Sequence, residues 1–271
     1  MSVPAVRAVI LAGGRGSRMQ RPDPGAPLDA AQAAAAGGGI KGMIPDARGR
    51  PLLDHILAGL ADAGVTDVCL VVGPGAGAIR DHYAAHPPQR VRLAWALQPE
   101  PLGTAHALLA AEAWTAGDAF LVLNADNLYP AAALRALVAL GAPGLVAFEA
   151  DGLAAEGNIP PERVAAFAVV TLAADGTLAT IEEKPEAVPD VGPPPLVSMN
   201  LWRFDRRIFA ACRDVPRSAR GEWELPGAVA LAVARGVPFH AVRLRAGVLD
   251  LSHRRDVAGV AERLARIEIT P

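Results

Sequence analysis

Along the first 127 residues, short apolar runs alternate with longer stretches whose apolar positions recur every three or four residues. AVRAVILAGG, DVCLVVG, VRLAWALQ and AFLVLNADN have the length and the Val/Leu content of buried strands. LLDHILAGLADAG, AIRDHYAAH and GTAHALLAAEAWTAG instead gather their apolar side chains on one face of a helix. Repeated strand–helix–strand units predict an α/β, Rossmann-like fold: a mixed, mostly parallel sheet with helices on both faces.

The pattern changes in the second half. VAAFAVVTLAADGTLATIEEKP reads as two strands around the turn ADG, and LVSMNLWRF as a third strand after the proline-rich EAVPDVGPPP. FDRRIFAACRD and GAVALAVARG have helical spacing, VPFHAVRLRAG reads as a strand, and HRRDVAGVAERLARI as a last helix. No fixed-period repeat is present. The expectation is one domain over residues 1–271, with halves 1–127 and 128–271 facing a common site.

Charge narrows the possible partners. A net charge of −2 gives no basic excess for nucleic acid. The apolar N-terminal run is too short to span a membrane and leads into glycines and arginines rather than a small-residue cleavage site. Cys69 and Cys212 form neither a CxxC nor a disulfide framework, so both are expected to be buried, inert thiols of a cytoplasmic protein.

Three glycine-rich segments could meet phosphate. LAGGRGSRM, residues 11–19, follows the first strand directly; its glycines allow close backbone approach, and Arg15 and Arg18 add charge. GPGAGA, residues 73–78, matches a dinucleotide-binding pattern, but the next strand ends in Gln98 instead of an acidic residue, so an ordinary tight turn is the competing reading. GGGIKGM lacks the Lys-Ser/Thr ending of a P-loop. The run AAAAGGGIKGMIP, residues 33–45, has the composition of a flexible linker. Its lysine is notable, because Lys41 and Lys184 are the only lysines among 26 basic residues.

Taken in order, these motifs resemble those of the sugar nucleotidyltransferases, the nucleoside-diphosphate-sugar pyrophosphorylases. LAGGRGSRM and IKGMIPDARGRPLLDHIL resemble the family's opening loop and lysine segment. QPEPLGTAHAL resembles its base-binding segment, NADN its metal motif, and IEEKP its sugar-phosphate motif. MNLWRF, RGEWELPG and GVLDLSHRRDV resemble the asparagine strand, the Arg-Gly-Glu-x-Glu segment and the late aspartate motif, so the likeness covers nearly the whole chain. It departs where Ile40 replaces a proline before the lysine, where Asn124 and Ala125 precede the aspartate, and where the stretch between Arg18 and Lys41 is long.

The resemblance implies the nucleotide-diphospho-sugar transferase type of fold and an enzyme joining a sugar 1-phosphate to a nucleoside triphosphate, with release of pyrophosphate. An ionised phosphate oxygen is already a nucleophile, so such a site needs in-line positioning and charge neutralisation. By resemblance, Asp126 and Asp250 hold Mg2+, and Arg18 and Lys41 neutralise the reacting phosphates. Leu11, Ala12, Gly13, Gly14, Gly16, Gln98, Gly103 and Thr104 bind the nucleotide, with a pyrimidine or a guanine as the base. Glu183, Lys184 and Asn200 bind the sugar phosphate. Glu222 and Glu224 are either surface charges or substrate contacts; His106 faces solvent or a neighbouring helix, and His253 starts the last helix. Lysine and arginine are not interchangeable at a crowded phosphate, which gives a reason for the two lysines. Residues 20–40 are expected to be a mobile arm that closes over the triphosphate.

Two other functions compete: transfer to a non-sugar phosphate such as phosphocholine or a cofactor precursor, and a catalytically silent homologue that binds nucleotide sugar. No hexapeptide-repeat tail follows, so no acetyltransferase half is expected. Apolar helices in the second half suggest a homo-oligomer.

Overall fold

The computed structural model describes residues 6–14, 16–185 and 194–270. Arg15 and most of the proline-rich segment lie outside the described residues. The strands are β1 (Val6–Leu11), β2 (Val65–Val72), β3 (Arg92–Leu97), β4 (Phe120–Asn124), β5 (Asn127–Leu128), β6 (Gly144–Glu149), β7 (Ala168–Leu172), β8 (Leu178–Glu183), β9 (Leu196–Phe204), β10 (His240–Leu244) and β11 (Leu249–Asp250). The helices are α1 (Ser17–Gln20), α2 (Ala30–Gly37), α3 (Leu52–Asp62), α4 (Gly77–Ala85), α5 (Thr104–Leu109), α6 (Glu112–Thr115), α7 (Ala131–Ala139), α8 (Ala150–Glu156), α9 (Arg207–Asp214), α10 (Leu225–Ala234) and α11 (Asp256–Ala265).

The main sheet runs β10-β6-β9-β4-β1-β2-β3, with the β7–β8 hairpin attached to β9. β4, β1, β2 and β3 are mutually parallel, as are β6 and β10, whereas β9 is antiparallel to both β4 and β6. The α/β expectation, with a mostly parallel sheet, therefore holds. Strands of both halves belong to this one sheet, joined where β4 meets β9.

Alternation along each strand sorts side chains into two cores. Ala8, Ile10, Val68, Leu70, Leu121 and Leu123 pack under α3, α4, α7 and α11. Their neighbours Val9, Cys69, Val71, Phe120 and Val122 face α5, α9 and α10. Both thiols are buried, and desolvation pushes each up to about 12, as expected of inert cysteines. The apolar face of α10 is also used internally, with Leu225, Ala228, Val229 and Ala232 in the second core.

Two expectations are corrected. The alanine run preceding Lys41 is not a linker but helix α2. Alanine is the strongest helix former, and Asp29 and Gln32 make a capping box: Asp29 Oδ1 accepts from the Gln32 N–H at 2.8 Å, and the Asp29 N–H donates to Gln32 Oε1. Ala36 and Gln32 are buried, which seats the helix against the body. GTAHALLAAEAWTAG, expected as one helix, is divided into α5 and α6. No helix of the described residues is long and apolar enough to cross a membrane.

Candidate active site

Parallel strands end together, and their following loops converge. Leu11 pairs with Asn124, the Ala12 N–H donates to Val71 O, and the Gln98 N–H donates to Val72 O. Residues 12–14 and 16, Gln98 and residues 124–126 thus meet at one edge of the sheet. They line a cavity of about 570 Å3 together with Arg18, Lys41, Gly103, Thr104, Arg220 and Glu222.

Close packing explains Gly13 and Gly16 of this loop. Gly16 has φ 59°, and a Cβ there would lie 2.2 Å from Gly39 O. That contact presses the phosphate-type loop onto the end of the α2 segment. Lys41 follows in a 3-10 turn, Lys41–Met43, and its Nζ reaches Asp126 Oδ2 at 2.7 Å. Beyond the turn, buried Asp46 accepts from the backbone N–H groups of Arg48 and Arg50, from the Arg50 guanidinium, and from His55 Nε2. Burial opposes ionisation of Asp46, but these donors outweigh it and hold the carboxyl below its ordinary value. Arg18 stands exposed on α1 at the cavity wall, and among the described residues it has no ion pair.

The other expected carboxylate arrives from the far end of the chain. β11 pairs antiparallel with β5, setting Asp250 against Asn127, and the Leu251 N–H donates to Asp126 O. Asp250 Oδ1 accepts from Asn127 Nδ2 at 2.9 Å and Ser252 Oγ at 3.0 Å; Oδ2 accepts from Arg163 Nη2 at 2.6 Å. Burial, reinforced by the Asp126 charge, raises the Asp250 carboxyl, against the pull of Ser252, Arg163 and Lys41. Two neighbouring carboxylates are a hard-oxygen donor set, and no cluster of three His, Cys, Asp or Glu exists among the described residues. The set suits Mg2+, which keeps water and substrate oxygens in most positions.

The residues expected to hold sugar phosphate sit elsewhere. Glu183, Lys184 and Asn200 are not on the wall of the main cavity, and neither is Asp250, expected as a metal ligand. Glu183 lines a neighbouring 250 Å3 cavity with Ser218 and Glu224. Lys184 and Asn200 both have left-handed backbone, φ 51° and 57°, an uncommon conformation for residues with a side chain. Lys184 Nζ lies 3.3 Å from Glu183 Oε1. Burial raises the Glu183 carboxyl, with Lys184 opposing and Glu224 adding to the rise. Asn200 Oδ1 accepts from Trp202 Nε1 at 3.3 Å.

Arg220 links the two cavities. It lines the larger one, pairs with Glu224 and lies 4.0 Å from Glu183. It begins the RGEWE segment, a signal that named the motif without singling out this side chain. Arg163, which holds both Asp250 and Asp256, carried no motif signal. Glu224 is buried and paired, so of its two readings the surface charge is excluded. His253 precedes α11, where its N–H donates to Asp256 Oδ2. His106 faces neither solvent alone nor only a helix; it stacks on Trp223 and touches Gln98. The Thr104 hydroxyl accepts from the Leu225 N–H at 2.8 Å, so it also ties the loop to α10. In GPGAGA, residues 73–76 form a turn closed by the Ala76 N–H donating to Gly73 O, ahead of α4.

Residues 7–251 match the family model described as nucleotidyl transferase. A UTP–glucose-1-phosphate uridylyltransferase, AglF, of Haloferax volcanii is 29% identical over 96% of each chain. A glucose-1-phosphate thymidylyltransferase of Streptomyces antibioticus is 27% identical over 96% of this chain and 64% of its own length. Against bifunctional GlmU proteins of Methanococcus maripaludis the chain spans about half their length, 54% in one case at 29% identity. A solved UDP-glucose pyrophosphorylase complexed with UDP-glucose superposes with a TM-score of 0.75 over 97% of this chain and 99% of that one, at 16% identity, a likeness of fold. A family match across nearly the whole chain, with the strand-end cavity that the fold builds, makes this protein a member of the nucleotidyl transferase family, among the sugar nucleotidyltransferases.

Proposed function

We propose that this enzyme transfers a nucleotidyl group from a nucleoside triphosphate to a sugar 1-phosphate, by in-line attack at the α-phosphate with release of pyrophosphate. The observation that carries the reading is the convergence of the glycine loop, Arg18, Lys41 and Asp126 on one strand-end cavity. Backbone N–H groups of residues 13, 14 and 16 cradle the triphosphate beside Leu11 and Ala12, and Arg18 grips it with a planar fork of donors. Lys41 supplies a compact positive charge beside the reacting phosphate, where charge builds in the transition state. Gln98 and Gly103 read the base, with Thr104 holding their loop. Beyond Arg220, outside the wall of this cavity, Lys184 takes the sugar phosphate, while Glu183 and Asn200 hydrogen-bond sugar hydroxyls.

Asp126 and Asp250 would hold Mg2+, which when bound neutralises phosphate oxygens and orients the leaving pyrophosphate. Arg163 and Asn127 keep Asp250 fixed. No general base is required, because the attacking phosphate oxygen is already ionised.

The test is pyrophosphate release with Mg2+ across a grid of nucleoside triphosphates and sugar 1-phosphates. Turnover with at least one pair is expected; none with any pair, despite tight nucleotide-sugar binding, would overturn the reading in favour of a silent binding protein.

A further inference from the structure

Two consecutive prolines, Pro160 and Pro161, end the main chain's capacity to donate beside Asp250. Just before them, Gly157 and Gly247 let two segments run backbone against backbone. A Cβ on Gly157 would lie 2.6 Å from Val248 O, and one on Gly247 would lie 2.3 Å from Gly157 N. The Asn158 N–H continues this contact by donating to Val248 O. In a strand ladder the next residue to bond on the same edge would be 160, and proline has no N–H to give.

The Asn158 side chain supplies what the main chain cannot. Its Oδ1 accepts from the Asp250 N–H at 2.7 Å, and its Nδ2 donates to Asp250 O at 2.9 Å. A carboxamide carries the donor and the acceptor of a peptide group, and here both are matched at once. The other side of Asp250 offers no substitute. Asp250 is paired with Asn127, but the Leu251 N–H donates to Asp126 O, which makes 127 and 250 a pair that exchanges no main-chain bonds. The Asp250 N–H and carbonyl therefore face the opposite edge, where Asn158 stands. Asp250 is only 2% exposed, so losing this amide leaves both groups buried without a partner.

The Asp250 carboxylate is held by other groups: Arg163 at Oδ2, Asn127 and Ser252 at Oδ1. Those bonds aim the side chain, whereas the Asn158 amide fixes the main chain that carries it. We infer that Asn158 is a positioning residue for the late carboxylate: by standing in for a missing strand residue, it sets the main chain of Asp250 and so the approach of its carboxylate to that of Asp126. The inference rests on the reading of these two carboxylates as a divalent-cation pair and adds the residue that sets their spacing. Asparagine suits the place because aspartate has no donor, and leucine, of similar shape, has neither donor nor acceptor.

The test measures binding of Mn2+ alone to the nucleotide-free protein, by the EPR signal of the free ion, in wild type, Asn158→Leu, Asn158→Ala and Arg7→Leu. Arg7 donates to Trp114 O and Thr115 O at the opposite end of β1 from the site, so its loss weakens the fold without touching Asp250. Asn158→Leu should weaken Mn2+ binding by at least about tenfold, the scale for losing a group that orients a metal ligand. Asn158→Ala leaves room for water on the freed main-chain groups, keeps the comparison possible if the leucine variant does not fold, and should weaken binding in the same direction. Arg7→Leu should bind as wild type despite a lower thermal midpoint. In turnover, the Mg2+ concentration for half-maximal pyrophosphate release should rise in the Asn158 variants, with KM for the sugar 1-phosphate unchanged. Unchanged Mn2+ affinity in a folded Asn158 variant, or an equal loss in Arg7→Leu, overturns the inference. Failure of the wild-type protein to bind Mn2+ would remove the cation pair and the inference with it. Absence of pyrophosphate release, with the Mn2+ difference intact, is instead the failure of the catalytic reading alone.

Discussion

At the cavity assigned to the nucleotide, functional side chains stand on backbone already held by neighbouring parallel strands and by the packed turn at Lys41. In the region assigned to the sugar phosphate, off the wall of that cavity, Glu183 closes a hairpin strand, Lys184 and Asn200 adopt left-handed backbone, and Arg220 spans between acidic partners. The first region is positioned by main-chain hydrogen bonds between distant segments and by glycines in contact with other backbone. The second is positioned by ion pairs and by local strain. A scaffold of the first kind resists rearrangement, because moving one residue breaks the ladder that aligns its neighbours. Ion pairs among partly exposed groups contribute little stability and can be exchanged for substrate contacts. The comparison therefore predicts that changes at the nucleotide end cost turnover and stability, and that changes at the sugar end alter substrate recognition.

The largest expected effect is at Lys41. Lys41→Ala should lower kcat by about a thousandfold, as for loss of a group that meets developing charge, and Lys41→Arg by at least about tenfold. Steady-state pyrophosphate release measures both, and near-wild-type rates would remove Lys41 from the chemistry.

Next is the turn that carries this lysine. Asp46→Asn should destabilise the protein by about 3 kcal/mol at neutral pH, because it breaks a buried charge network. The pH dependence has a definite sign. The folded-state pKa of Asp46 is lowered, so its stabilisation is full above the unfolded value near about 4 and is lost as pH falls through the lower folded value. The difference between wild type and variant in chemical denaturation should therefore shrink on acidification. A difference that stays constant would mean that the Asp46 charge does not anchor the turn.

A smaller effect is expected where a glycine admits the base. Gly13→Ala places a Cβ against Gln98 Oε1 and should weaken nucleotide binding by about thirtyfold, the range of an overpacking clash. Calorimetric titration with nucleotide tests this, and unchanged affinity would show that Oε1 does not face the ligand. Smallest is Lys184→Arg, expected to raise KM for the sugar 1-phosphate by about tenfold while leaving KM for the nucleotide unchanged. A matching rise in both constants would erase the distinction between the two ends.

Much of this could be read before any coordinates. Strand periodicity located β1, β2, β3, β4 and β9, because a half-buried or buried strand writes its environment into its own residues. The glycine loop, Gln98 and Asp126 follow directly from strand ends, so naming the strands placed them at one edge. Other elements left weak traces. β5 and β11 are two residues each, too short for any periodicity, and β6, α7 and α8 carry no chemical motif. The alanine run before Lys41 has linker composition, yet Asp29 and Gln32 supplied the capping signal that makes it a helix.

What the sequence by itself determined was the layered α/β class, the family to which its ordered motifs belong, and the residue types available for phosphate and metal. Only the tertiary structure decided which of them meet. Lys41 touches Asp126 across 85 positions, Asn127 touches Asp250 across 123, and Arg163 reaches Asp250 across 87. Periodicity reports only which face of its own element a residue occupies. Contacts between elements depend on the register of strands and the packing of loops, and these are settled when the whole sheet assembles.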